Sequence, residues 1–217
     1  MTQASGGPGS NQSGQESPRP GSPQPAPSSP AADALLPGGA VRSQGRKALV
    51  AHAEASPDIT RCPADPDYAV ETIRGRVSDH HDYVMFAASR GQWAQALASS
   101  YDAARQAVSM LLLHDGWRVP DQARGKHLVL AEAAAVWLSA GGGNGPRLAK
   151  SFQSSRKARN NFEYPDSQAP LPAEHELRGM TLDNARIVEL ARQEVGLSRR
   201  EDAVPNDENI TKWQSQT

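Results

Sequence analysis

The stretch PRLAKSFQSSRKARNNFEY, residues 146–164, sets Arg147, Lys150, Arg156, Lys157 and Arg159 against Glu163 alone, a local charge of +4 in a chain whose net charge is −1. Guanidinium forks grip phosphate and carboxylate oxygens in pairs, so the residue types here suit an anionic ligand. Arg159 stands in helical phase with Leu148, Phe152 and Ser155, where an apolar side chain is expected. A charge in that position needs a carboxylate, a phosphate or several carbonyls, because burying it alone is costly. Asp102 and Glu163 are the internal candidates. Asp102 lies beside Tyr101 in YDAAR, residues 101–105, one turn before Arg105. Two roles stay open for it: a boundary ion pair that fixes helix register, or a carboxylate that orients Arg159 for a ligand. Arg156, Asn160 and Tyr164 add a second fork, an amide and a stacking face for a phosphate or nucleotide, and Lys157 adds charge. The bland alternative for the whole run is a solvated basic helix face.

The other reactive side chains say less. His80 and His81 are adjacent and so point about 100° apart on a helix, poor geometry for one metal. His114 lies at a helix C-terminus, where positive charge is favoured, and reads as structural. Cys62 is the single cysteine, which excludes an intrachain disulfide and a cysteine-based zinc site. GGGNG at 141–145 has no preceding strand and no following Lys-Ser/Thr, so it is a connector and not a phosphate loop. No metal and no cofactor is expected.

The elements that must position these groups are helices. From Tyr68 onward apolar residues recur at helical spacing, with no alternating Val/Ile/Thr run that suggests a strand. The spacing predicts a first helical stretch over 67–89, broken near Gly75 to Ser78 with Ser78 as N-cap. Trp93, Leu97, Tyr101, Ala104, Val108 and Leu111 form one stripe of a long helix over 92–115. HLVLAEAAAVWL, 127–138, is apolar nearly all round, as a central helix should be. A basic helix follows over 146–164, with Pro146 at its first turn. A last helix is predicted over 181–195 with Thr181 as N-cap. Trp93, Trp117 and Trp137 are assigned to the core, and Trp213 to a polar tail without a partner. The expected fold is an all-α, four- to five-helix up-and-down bundle.

Composition sets the boundaries. The chain has 217 residues, and 18 of its 35 Gly and Pro (18 Gly plus 17 Pro) lie in the first 65 positions, while no aromatic residue precedes Tyr68. Such a segment cannot bury enough surface to offset chain entropy. Residues 1–65 are therefore expected to be a disordered leader, 66–196 the bundle, and 197–217 a flexible polar tail. AADALL within the leader is a candidate docking island, and the run 41–55 a transient helix stopped by Pro57, Pro63 and Pro66. The near-zero net charge excludes a chain that coats nucleic acid or membrane by bulk positive charge. No apolar run approaches the roughly 20 residues that span a bilayer, and no signal-peptide pattern is present, so the expected compartment is the cytoplasm.

The helical bundle, the YDAAR-type long helix, the GKH step that opens the next helix and the basic helix ending RKARNNFEYPD together resemble the HEPN superfamily, in particular its small bacterial members. The resemblance covers about residues 78–196. The hallmark of that family is an arginine, usually followed by a polar residue such as Asn, then a histidine four to six residues later, near a helix end and facing a cleft at a dimer interface. Arg159 and Asn160 match the first half, and Tyr164 stands in the place of the histidine. The resemblance implies a homodimer with two such helices face to face, and metal-independent ribonuclease activity of a toxin or defence type. With a reference pKa of about 10, tyrosine shuttles protons less readily than imidazole near neutrality. Catalysis would then call on His127, in RGKH, or on Tyr164 with Arg159 lowering its pKa. The alternative is a non-catalytic RNA- or nucleotide-binding dimerisation module that partners a nucleotidyltransferase or antitoxin. A third reading is a structural adaptor whose leader recruits partners.

Overall fold

A computed structural model describes residues 43–123, 125–163, 170–198, 200 and 203–216. The helices are α1 (Gln44–Ala55), α2 (Pro66–Arg74), α3 (Arg76–Ser89), α4 (Trp93–His114), α5 (Lys126–Ala140), α6 (Gly145–Glu163), α7 (Glu174–Glu194) and α8 (Asp207–Gln216). Two short strands, β1 (Thr60–Arg61) and β2 (Trp117–Arg118), pair antiparallel with Thr60 opposite Arg118. The all-α bundle expected from the apolar spacing is the fold.

The apolar stripe of α4 is buried along the whole helix, from Trp93 through Leu97, Tyr101 and Val108 to Leu111. α4 packs against α2, α3, α6 and α7, and α5 packs between α1 and α6. The alanine-rich α5 permits that close approach. Gly45 of α1 faces the Trp137 carbonyl, where a Cβ would come within 2.6 Å, and Gly145 opens α6 so tightly against Leu138 that a Cβ would lie 1.8 Å from its carbonyl oxygen. The main core joins Leu49, Tyr101, Leu111, Leu130, Trp137, Phe152 and Ile187. A second cluster gathers Val84, Met85, Trp93, Leu97, Ala158, Leu177 and Ile210 at the other end.

A buried polar knot ties three helices. The Asn184 side-chain amide on α7 donates to the Ser100 hydroxyl on α4 (3.3 Å) and to the Ser155 hydroxyl on α6 (3.1 Å). The two hydroxyls donate in turn to the backbone carbonyls of Leu97 and Ser151. These groups are satisfied, so their burial carries little penalty.

Four boundaries differ from the sequence reading. The bundle starts well before residue 66: α1 is capped by Ser43, whose hydroxyl accepts from the Arg46 N–H, and it buries Arg46, Leu49 and Ala53. The reason is non-local, because Arg46 is paired with Asp115 at the end of α4. The part of the expected leader before Ser43 lies outside the described residues. α3 begins at Arg76, directly after the Gly75 junction, so Ser78 sits inside the helix and is not its N-cap. α7 begins at Glu174, not Thr181. Its start is fixed by Glu176, whose carboxylate accepts from the Ala173 N–H (2.8 Å), while Thr181 is buried mid-helix and donates to the Leu177 carbonyl (2.8 Å). The tail also carries structure: α8 places Ile210 in the second core cluster and Trp213 edge-on to Phe86, with ring centroids 6.5 Å apart.

Candidate functional site

Three helices converge on one cluster. α4 contributes Tyr101, Asp102 and Arg105, the start of α5 contributes His127, and the C-terminal half of α6 contributes Arg156, Arg159 and Glu163. A step of one residue on α4 turns the surface by about 100°, so Tyr101 points into the core while Asp102 stands at its rim.

The Asp102 carboxylate holds two guanidinium groups side by side. Its Oδ1 accepts from Nε and Nη2 of Arg105 at 3.4 and 3.3 Å, and its Oδ2 accepts from Nη2 of Arg159 at 3.2 Å. Arg159 also grips Glu163 one turn later, with Nη2 2.9 Å from Oε1 and Nη1 3.2 Å from Oε2. Both internal partners proposed from the sequence are thus engaged. The off-pattern arginine is 16 % exposed and lies over the Tyr101 ring, its guanidinium carbon 5.9 Å from the ring centroid.

Beneath it the Tyr101 ring is walled by Phe152 at 5.1 Å and by the His127 imidazole at 6.3 Å between centroids. Burial pushes the Tyr101 phenol up to about 12, against the pull of Arg105, Arg156 and Arg159, so the hydroxyl stays protonated at neutral pH. His127 is shifted the other way, below its ordinary 6.5, first by desolvation and then by Arg105 and Arg159. Its imidazole is therefore neutral near pH 7 and able to accept a proton.

The sign of the His127 shift has a consequence for stability. With the folded value depressed, the unfolded chain takes up the proton first as pH falls, so stability drops from about pH 6.5 downward through the folded pKa and is unaffected above that range. Thermal unfolding midpoints should therefore fall less for His127→Gln than for the wild type between pH 7 and pH 5. Parallel curves for the two proteins would contradict the assignment.

Not every candidate joins the cluster. Asn160 is half-buried beside Arg159. Lys157 is exposed and, with Lys150 and Asn161, lines a separate groove against Glu176 and Met180 of α7, so it does not share the site of Arg156 and Arg159. Lys157 and Arg159 are two positions apart, which on a helix is a rotation of about 200°. Arg147, counted with the basic run, is committed elsewhere: it makes a two-point pair with Asp183 on α7 at 2.7 and 2.9 Å. Tyr164 lies outside the described residues.

The sequence reading missed one charged group altogether. Arg46 is 0 % exposed, its Nε donates to Asp115, itself 2 % exposed, and its two terminal nitrogens are buried with no hydrogen-bond partner. No group of three or more His, Cys, Asp or Glu side chains that would hold a metal ion occurs among the described residues. Among them, too, no helix is long and apolar enough to cross a membrane. Comparison with protein-family models, with curated proteins and with solved structures finds no match to this chain.

Proposed function

We propose that this chain binds the phosphate groups of RNA or of a nucleotide at the Asp102–Arg105–Arg156–Arg159 cluster. The observation that carries the reading is the sharing of one carboxylate, Asp102, by two arginines from different helices, Arg105 and Arg159. That arrangement gathers guanidinium forks in one place against their mutual repulsion, where a phosphate can take over from the carboxylates. The resemblance of RKARNNFEYPD to the HEPN motif points the same way, and extends the proposal to a homodimer, to an antitoxin or nucleotidyltransferase partner and to a cytoplasmic setting.

The experiment is a titration of fluorescently labelled single-stranded RNA with the full chain and with Arg159→Ala at two salt concentrations. Charge-assisted hydrogen bonds contribute about 1.5–3 kcal/mol, so Arg159→Ala should weaken binding roughly ten- to a hundredfold and flatten its salt dependence. Equal affinity for the two proteins would remove Arg159 from the site.

A second reading, metal-independent RNA cleavage, is favoured by the neutral imidazole of His127 beside the same arginines. His127 would accept the proton of a ribose 2′-hydroxyl as its oxygen bonds to the adjacent phosphorus, the 5′-oxygen would leave and take a proton from water, and Arg159 would stabilise charge on the phosphate. In chelator-treated samples, cleavage lost in both His127→Gln and Arg159→Ala supports it. Intact RNA with Arg159-dependent binding leaves the non-catalytic module.

A further inference from the structure

Three polar atoms at the seam between α4 and α6 are buried without a hydrogen-bond partner: the Tyr101 hydroxyl, Nε of Arg156 and Nε of Arg159. Buried donors are almost always satisfied, and each one left open costs free energy. Packing does not call for this hydroxyl, since a phenylalanine would fill the same space beside Phe152 and His127 without that cost. Arg159 lies over the Tyr101 ring, Arg156 stands one turn before it on α6, and both bear electrostatically on the phenol. All three are donors at neutral pH, and what they lack in common is an acceptor.

We propose that the Tyr101 hydroxyl is a positioning donor for a phosphate oxygen, reached when Arg159 exchanges its two carboxylate partners for the phosphate. This inference rests on the phosphate-binding reading above. Arg159 lies over the ring, with its guanidinium carbon 5.9 Å from the centroid, so its side chain is the cover to be moved. Its partners Asp102 and Glu163 are 24 % and 44 % exposed, and ion pairs that wet are weak and readily exchanged. The exchange is a re-orientation of one side chain and needs no backbone motion. Asp102 keeps Arg105 as its partner when Arg159 leaves. A phosphate drawn in with Arg159 then offers the phenol O–H the acceptor it lacks. The walls of Phe152 and His127 keep the phenol from turning away.

The test uses the full chain as wild type, Tyr101→Phe and Arg159→Ala, titrated with labelled single-stranded RNA, with adenosine monophosphate and with inorganic phosphate. Loss of one hydrogen bond to a charged acceptor should weaken binding about tenfold in Tyr101→Phe, with an unfolding midpoint equal to or above that of the wild type. Loss with RNA alone identifies a polynucleotide backbone, and loss with all three probes identifies any phosphate. Carbon-13 labelling at tyrosine Cζ supplies a readout that packing does not move. The Tyr101 resonance, assigned by its absence in Tyr101→Phe, should shift on ligand addition in the wild type and stay fixed in Arg159→Ala. Wild-type affinity in Tyr101→Phe together with a still resonance overturns the proposal while Arg159-dependent binding stands. Absence of binding by the wild type, or binding indifferent to Arg159→Ala, overturns both.

Discussion

Replacing Asp115 by alanine is expected to lower the unfolding free energy by about 3–5 kcal/mol, because it strips the partner from a fully buried guanidinium. Arg46 has no exposed surface and Asp115 almost none, so water cannot take over the charge. The terminal nitrogens of Arg46 already lack acceptors, which leaves no second group to share the load. Urea unfolding near neutral pH should show a lower midpoint with an unchanged slope. The informative control is Arg46→Met combined with Asp115→Leu. Removing both charges and filling the space is often neutral or stabilising, so the double variant should recover most of the loss. A single variant within 1 kcal/mol of the wild type, on the order of an ordinary surface substitution, would show that the pair does not hold α1 to the end of α4.

Phe152→Ala should cost a similar amount, about 3–5 kcal/mol, by a different route. Phe152 is fully buried in the main core, and its ring lies 5.1 Å from that of Tyr101. Truncation leaves a cavity beneath the phenol, so Tyr101 loses the wall that fixes it. The near-ultraviolet circular dichroism of the tyrosines should weaken in the folded variant, and affinity for labelled RNA should fall even though no charge has changed. A stable variant with unaltered aromatic signals would mean that the core closes over the gap and that Tyr101 is held from elsewhere. Arg159→Ala is the counterpart: its ion pairs are partly exposed, so its effect should appear in binding and hardly at all in stability.

The elements that carry the cluster were legible because their packing is written in local periodicity. The stripe from Trp93 to Leu111 declares α4, the apolar run from His127 to Leu138 declares α5, and Arg159 is conspicuous because it interrupts an otherwise apolar phase on α6. From that interruption Asp102 and Glu163 followed as partners, and both touch it. What sequence periodicity does not contain is pairing across long separations. α1 reads as a weak polar helix, and only Asp115, 69 residues away, gives its buried arginine a reason to be there. Lys157 joins the candidates, and Arg147 the basic run, only because charge summed along α6 does not resolve its faces. The vacant Tyr101 hydroxyl is equally silent, since whether a donor is satisfied depends on what three helices bring to it.

The knot of Ser100, Ser155 and Asn184 determines how finely that geometry is held. Ser100 immediately precedes Tyr101, and Ser155 immediately precedes Arg156, so the one amide that bonds both hydroxyls works as an alignment pin set right beside the cluster. Each residue of a helix advances about 1.5 Å along its axis, and because Asn184 on α7 bonds both hydroxyls, a slide of α4 against α6 by one residue would break at least one of the two bonds. The spacing between the phenol and the arginines is therefore not free to drift with thermal sliding of the helices. Adjustment at this site is then left to the side chains above the pin, Arg159 among them.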